Sequence, residues 1–328
     1  METVAGLVDV HTHAIAPDLA PPAAREGHDW AWVAREDEHT AAVHVGDRRY
    51  RMIDARCWSP SARLRDMDAE GVAVQVVSPV PVTLDHTAPA AGALEQARAQ
   101  NAFFAALVAE APDRFRALGA VPLQDVDAAV GELRRCVLDL GFAGVEIGGR
   151  VGALELADPQ LAPFFDAADE LGAVVFVHPV DEVLDPRLAR AGLAFGVGMP
   201  CETATAAASL LTAGTLADRP GVRLCLAHGG GALPSILPRV AHGQTLAGAP
   251  ATALDRARDL WCDSLTYDPA SLELAVARFG ADHVVLGTDY PFAAREQPPG
   301  AVLTDARRPA IGVDNPRTLL TPSLTETR

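Results

Sequence analysis

A (β/α)8 barrel with a small β-rich insertion after its first strand is the fold this sequence predicts, on three observations. Short runs rich in Val, Leu and Ile recur eight times along the 328 residues. These runs lack polar alternation, as expected of parallel strands covered on both faces. Segments with apolar residues at helical spacing lie between them, and eight such repeats favour a closed barrel over an open doubly wound sheet. The length suits a single barrel domain over 1–328.

The strands are expected at Leu7–His11, Val72–Ser78, Arg116–Val121, Gly144–Ile147, Ala173–His178, Arg223–His228, Leu260–Ser264 and His283–Thr288. Ala93–Ala111 carries Leu94, Ala97, Phe103, Phe104, Leu107 and Val108, and Asp127–Leu140 carries Val130, Leu133, Val137 and Leu140, both at helical spacing. A helix over Pro159–Leu171 starts after Asp158 as N-cap, has Pro at its first position and ends at Gly172. Ser209–Asp218, Leu233–His242 and Pro269–Phe279 supply further helices. The stretch from Ala14 to about Arg56 exceeds an ordinary βα loop. Its Trp30, Trp32 and Val43–Val45 predict a small β-rich insertion over the barrel mouth. Gln297–Gly300 reads as a turn after the eighth strand.

Composition excludes several functions. A formal charge of −16 argues against nucleic acid, which demands a basic face. An anionic substrate must therefore meet a local cluster of arginines. All 27 basic residues are Arg, so no lysine can form a Schiff base, anchor pyridoxal, serve a P-loop or bridge two metals as a carbamate. The five cysteines are scattered without a CxxC pair and read as reduced thiols. No apolar run approaches the roughly 20 residues of a membrane span. Met1–Val10 is too short for a signal peptide and has Glu2 where a basic residue belongs, so a cytoplasmic location is expected.

Candidate ligands gather at the carboxyl ends of strands. His11 and His13 end the first, His178 the fifth and His228 the sixth, and Asp289 follows the eighth. In a barrel these ends meet at one mouth. Residues two apart in extended chain point the same way, so both imidazoles of His11-Thr12-His13 can reach one ion. Taken singly, His178 also reads as a packed or capping residue, and Asp289 as the head of an Asx-turn. Together His11, His13, His178 and Asp289 offer one divalent metal three imidazoles and a carboxylate, with room for a water. His228 leads into Gly229-Gly230-Gly231 and reads as the acid/base that activates this water, or else as a further ligand.

At these residues the chain resembles the decarboxylase branch of the amidohydrolase superfamily, the 2-amino-3-carboxymuconate-6-semialdehyde decarboxylase-like family. The matching segments are Val8–His13, Tyr50-Arg51 with Cys57-Trp58, Met67-Asp68 with Gly71-Val72, and Gly141-Phe142. They continue through Phe176–Pro179, Gly198–Pro200 with Glu202-Thr203, Ala227–Gly231, Arg239 with Ala241–Gly243, and Leu286–Phe292. The resemblance implies a barrel enzyme that removes carbon dioxide non-oxidatively from a small aromatic or muconate-type acid. It implies one zinc per subunit on His11, His13, His178 and Asp289, with His228 and Asp289 in the chemistry. It further gives Arg51 and Arg239 to the substrate carboxylate, Arg239 reaching across a homodimer, and counts Phe292 with the substrate-binding residues.

The pocket departs from the family. Val180 stands after His178-Pro179 where an aromatic residue is usual, Thr83 and His86 lie in a segment that is otherwise apolar and aromatic, and Phe195 sits in a stretch usually rich in Trp. These four are candidate substrate-binding residues that alter specificity, or else packing variation remote from the pocket. A metal-dependent hydrolase or hydratase is the alternative, because activated water attacks a carbonyl as readily as an alkene. A ligand-binding barrel without catalysis is the third reading.

Overall fold

In a computed structural model, which describes residues 6–23, 27–180 and 185–321, eight parallel strands form one sheet. The first five residues of the Met1–Val10 segment lie outside the described residues. In chain order the strands are β1 (Leu7–Ala14), β2 (Ala31–Arg35), β3 (Thr40–Val45), β4 (Arg48–Asp54), β5 (Val72–Pro79), β6 (Phe115–Ala120) and β7 (Gly144–Gly148). They continue with β8 (Arg150–Val151), β9 (Leu154–Glu155), β10 (Val174–His178), β11 (Arg223–Leu226), β12 (Trp261–Asp263) and β13 (Val284–Val285). The large sheet runs β1-β5-β6-β7-β10-β11-β12-β13. It closes just beyond β13, where Val10 N–H donates to Leu286 O, Asp289 N–H to His11 O and His13 N–H to Tyr290 O.

The apolar runs form these strands because both faces are covered. Val8, Val10, Val76, Leu118, Phe176, Cys225, Trp261 and Val285, drawn from most of the strands, fill the barrel interior. A larger cluster, including Val77, Phe104, Leu133, Ile147, Phe164 and Leu210, packs the outer face of the sheet against the helices.

The helices are α1 (Pro60–Glu70), α2 (Ala90–Glu110), α3 (Val126–Arg134), α4 (Ala162–Leu171), α5 (Pro186–Arg190), α6 (Met199–Ala213), α7 (Leu233–Leu246), α8 (Ala253–Arg256), α9 (Pro269–Phe279) and α10 (Asn315–Leu320). The stop at Gly172 is as expected: it is left-handed (φ 57°) and its N–H caps the end of α4. Two elements differ most from the sequence expectation. The helix expected at Ser209 begins ten residues earlier, at Met199, with Pro200 in its first turn. The eighth strand is only Val284–Val285, because the next amide, Leu286 N–H, bonds to Ile311 O and not along the sheet.

The insertion is a three-stranded antiparallel sheet, β2-β3-β4, between the first strand and the first helix. It has its own small core of Ile15, Val33, Val43, Ile53, Trp58 and Val82. β4 brings Tyr50 to Asp54 to the cavity that the barrel mouth encloses.

Candidate metal centre and active site

The four residues expected to hold a metal converge. One donor atom from each of His11, His13, His178 and Asp289 lies within 4.8 Å of the other three, and all four residues are buried. A register shift in β1 between Asp9 and Thr12 inserts one extra residue against β5. Bulges of this kind re-aim side chains beside active sites. Asp289 takes a left-handed backbone (φ 64°) that Asp tolerates better than most residues, and the turn sets its carboxylate 3.2 Å from His13 Nε2.

The second nitrogen of each imidazole fixes its tautomer. His11 Nδ1 lies 2.6 Å from the Asp263 carboxylate, His13 Nδ1 2.7 Å from Pro79 O and His178 Nδ1 2.7 Å from Pro179 O. Each of these oxygens can only accept, so each Nδ1 donates and each Nε2 is left as the ligating atom. His178 Nε2 is buried without a hydrogen-bond partner among the described residues. Such an orphan is costly unless something else satisfies it. Three imidazole nitrogens and a carboxylate oxygen suit a divalent transition metal, so the residues fit the ion the sequence implies.

Titration follows the same geometry. Burial works against a charged His11, but the hydrogen bond and charge of Asp263 outweigh it and raise the pKa to about 9. Burial and the neighbouring imidazoles press His178 well below its ordinary value. Burial raises Asp289, but His13 beside it and the charge of His11 bring its carboxyl below the usual range.

His228 stands beside this cluster, its ring centroid 4.9 Å from that of His178 and 5.3 Å from that of His11. Burial, then the charge of His11, pushes its pKa down to about 4, so the imidazole is neutral near neutral pH, with a lone pair to accept a proton. Its backbone is left-handed (φ 58°) and Gly229 follows at φ 63°. A Cβ at residue 229 would come within 2.5 Å of Thr266 Cγ2.

Asp263, which the sequence reading passed over, ties these groups together. It is fully buried at the end of β12 and accepts four hydrogen bonds: from His11 Nδ1 (2.6 Å), His228 N (2.9 Å), Gly229 N (2.7 Å) and Leu265 N (3.0 Å). One carboxylate therefore orients a ligand and also holds the strained turn that presents His228. The signal in the sequence was its place, a lone acid ending a buried strand as His178 does. Glu146 on β7 is similar, buried with an oxygen 3.9 Å from His13 Nδ1 and its pKa raised by burial.

Above the cluster lies a cavity of about 470 Å3 lined by His178, His228 and Asp289 below and by Arg51, Phe195 and Phe292 at its sides. Phe292 stacks on His13 with centroids 5.5 Å apart, and the Arg51 guanidinium lies 4.4 Å from the centre of the Phe292 ring. Arg51 has no carboxylate within 4.0 Å among the described residues, unlike nearby Arg56, which pairs with Asp54 at 2.7 Å. The remaining candidates lie elsewhere. Val180 packs with Leu84, Ala97 and Ala120. Thr83 Oγ1 donates to Val80 O. His86 is buried with Nε2 accepting from Gly148 N–H, and none of the three lines this cavity. Arg239 is exposed on α7 and does not line the cavity of its own chain.

A family model described as amidohydrolase matches residues 8–321. The chain belongs to the amidohydrolase family. This amidohydrolase is 36% identical over 305 residues to the 2-amino-3-carboxymuconate-6-semialdehyde decarboxylase of Dictyostelium discoideum, covering 90% of the chain and 84% of that relative. It is 29% identical over 293 residues to the gamma-resorcylate decarboxylase of Rhizobium sp. strain MTP-10005, covering 83% and 88%. Among solved structures it matches a dihydroxybenzoic acid decarboxylase of Polaromonas sp. JS666 with bound manganese and 2-nitroresorcinol. That match has a TM-score of 0.74 at 25% identity and covers 96% of each chain. The amidohydrolase is, with these relatives, a carboxy-lyase of the superfamily.

Proposed function

We propose that this amidohydrolase is a zinc-dependent, non-oxidative decarboxylase of a small aromatic or muconate-type carboxylic acid. On this reading it works as a cytoplasmic homodimer with one ion per subunit. The observation that carries the reading is the meeting of three elements at one cavity: imidazoles whose Nδ1 atoms are all committed elsewhere, a neutral His228 beside them, and an Arg51 in the cavity wall with no carboxylate within 4.0 Å among the described residues. Zinc is favoured by the donor set, three imidazole nitrogens and a carboxylate.

When bound, the divalent ion supplies a Lewis acid that draws electron density from the substrate and acidifies water. The protein supplies the rest. Arg51 grips the substrate carboxylate with its planar fork, and Phe292 offers an apolar face to the ring or conjugated chain. His228, neutral at rest, takes a proton from water and passes it to the carbon losing carbon dioxide. Phe195 narrows the mouth. Arg239, exposed on α7, enters the partner's cavity as a second grip on an anionic substrate in an otherwise acidic protein.

The test is a panel of aromatic and muconate acids on zinc-loaded enzyme, read by carbon dioxide release and by mass spectrometry of the product. Loss of 44 mass units with carbon dioxide evolved supports the proposal. Gain of water or cleavage of an amide or ring bond, without carbon dioxide, replaces it with a hydrolase or hydratase.

A further inference from the structure

Helix α1 carries a polar face that touches both segments bearing the metal ligands. Arg63 on that helix has no exposed surface. Its guanidinium donates to Gln75 Oε1 (3.0 Å), His13 O (2.8 Å), Arg56 O (3.0 Å) and Thr12 Oγ1 (2.7 Å). Among the described residues no carboxylate lies within 4.0 Å of it. A buried cation with no carboxylate in direct contact is expensive, and chains keep one only where its hydrogen bonds are well placed. Here two of the four acceptors belong to the His11-Thr12-His13 segment itself. Thr12, whose side chain lies between the two ligands in sequence, passes the contact on: its hydroxyl donates to Val76 O (2.7 Å) on the next strand.

The same helix face reaches the other ligand segment. Asp66, one turn beyond Arg63, accepts from the Tyr290 hydroxyl at 2.9 Å, and Tyr290 directly follows Asp289. The Tyr290 ring has Arg63 and Arg295 each near it, with guanidinium carbons 4.9 Å and 5.2 Å from its centre. Arg295 is in turn paired with Glu70, at the end of α1, at 2.9 Å and 3.0 Å. Arg63, Asp66 and Glu70 fall at helical spacing on one face. That face therefore spans the seam where β1 meets residues 286–290, and the seam is where His13 and Asp289 come together.

We propose that Arg63 is a positioning residue of the metal centre: it fixes His13 through the β1 backbone and Asp289 through Tyr290, and so sets the spacing of the ligand cage. The proposal rests on His11, His13, His178 and Asp289 being a metal site. Lysine keeps the charge but not the planar fork that serves four acceptors at once, so Arg63→Lys is the informative change. Thr12→Val, nearly isosteric, removes one of those acceptors and serves if Arg63→Lys does not fold. Met67→Ala, on the same helix but buried in the outer apolar core, is the control for simple loss of stability.

The experiment measures zinc affinity by competition with a chromophoric chelator, and the visible spectrum of the cobalt-substituted proteins. For Arg63→Lys we expect zinc affinity to fall about ten- to a hundredfold, the range typical of outer-shell partners, with altered cobalt bands. Thr12→Val moves both readouts the same way but less. Met67→Ala lowers the melting temperature while leaving both at the wild-type value. Arg63→Lys and Thr12→Val proteins that bind zinc and give cobalt spectra like wild type overturn the proposal. An equal change in Met67→Ala overturns it too, by showing a general effect of destabilisation. Failure of the wild-type chain to bind zinc or cobalt defeats the metal-site reading itself, a distinct outcome.

Discussion

Replacing Asp263 by Asn changes one atom and leaves the side-chain volume unchanged, yet either orientation of the amide brings a donor against donors. With Nδ2 in place of Oδ1, the N–H groups of Gly229 and Leu265, now 2.7 Å and 3.0 Å from an acceptor, lose it. With Nδ2 in place of Oδ2, the His228 N–H and the His11 Nδ1–H lose theirs. Two hydrogen bonds to a buried charge are forfeited each way, at about 1.5–3 kcal/mol apiece, or about 3–6 kcal/mol together. The second orientation also invites His11 to move its proton to Nε2, the atom that faces the other ligands, which removes it from the ligand set. We expect turnover to drop at least about a hundredfold. Metal affinity falls about ten- to a hundredfold if the second orientation prevails, and metal is retained with a misplaced His228 if the first does. Chelator competition and steady-state kinetics on the same preparation separate the two. Asp263→Asn protein with metal affinity within twofold and turnover within threefold of wild type would refute the account of this carboxylate.

Three further outcomes follow from the same geometry. His228→Ala retains stoichiometric zinc by elemental analysis but loses nearly all turnover; co-loss of the ion makes His228 a ligand. Arg239→Ala mixed with His228→Ala regains activity through hybrid dimers that hold one intact site, whereas inactive hybrids, verified by native mass spectrometry, exclude a shared cavity. Burial lowers His86 to about 4 from an ordinary value near 6.5, so the folded chain resists a proton that the unfolded chain takes up. Its contribution is fully present above pH 6.5 and is lost as pH falls toward 4. Between pH 7 and pH 4.5 the wild type should lose about 2–3 kcal/mol more stability in urea unfolding than His86→Gln, and equal losses reject this assignment.

The barrel was legible because its strands are buried on both faces and so appear as unbroken apolar runs. The metal cage was legible because its members end those runs: an HxH, a His-Pro and a Gly-Thr-Asp each stand where a strand stops. What escaped were residues whose meaning is set by distant partners. Asp263 meets His11 across 252 positions and reads locally as an acid after Trp-Cys. Arg63 sits in an otherwise ordinary helix with two other arginines close by in the sequence, and nothing local distinguishes the buried one. The start of α6 was lost in an alanine-rich stretch, Glu202–Ala213, with too little contrast between its faces to mark a period. The shortened eighth strand reflects Leu286, whose amide leaves the sheet for Ile311, a contact invisible to any window of neighbours. Arg51 was singled out only through family resemblance; among Arg48, Arg49 and Arg51, it is the fold of β4 that sets this one at the cavity.

The three-stranded insertion separates two inheritances. The ion's ligands are anchored in the barrel, while Arg51 hangs from an awning with an apolar interior of its own. On the proposed function, substitutions from Tyr50 to Asp54, which line the cavity, should alter which acid is admitted while leaving the imidazole anchors in place. A library confined to those five positions is therefore the place to look for altered substrate selectivity.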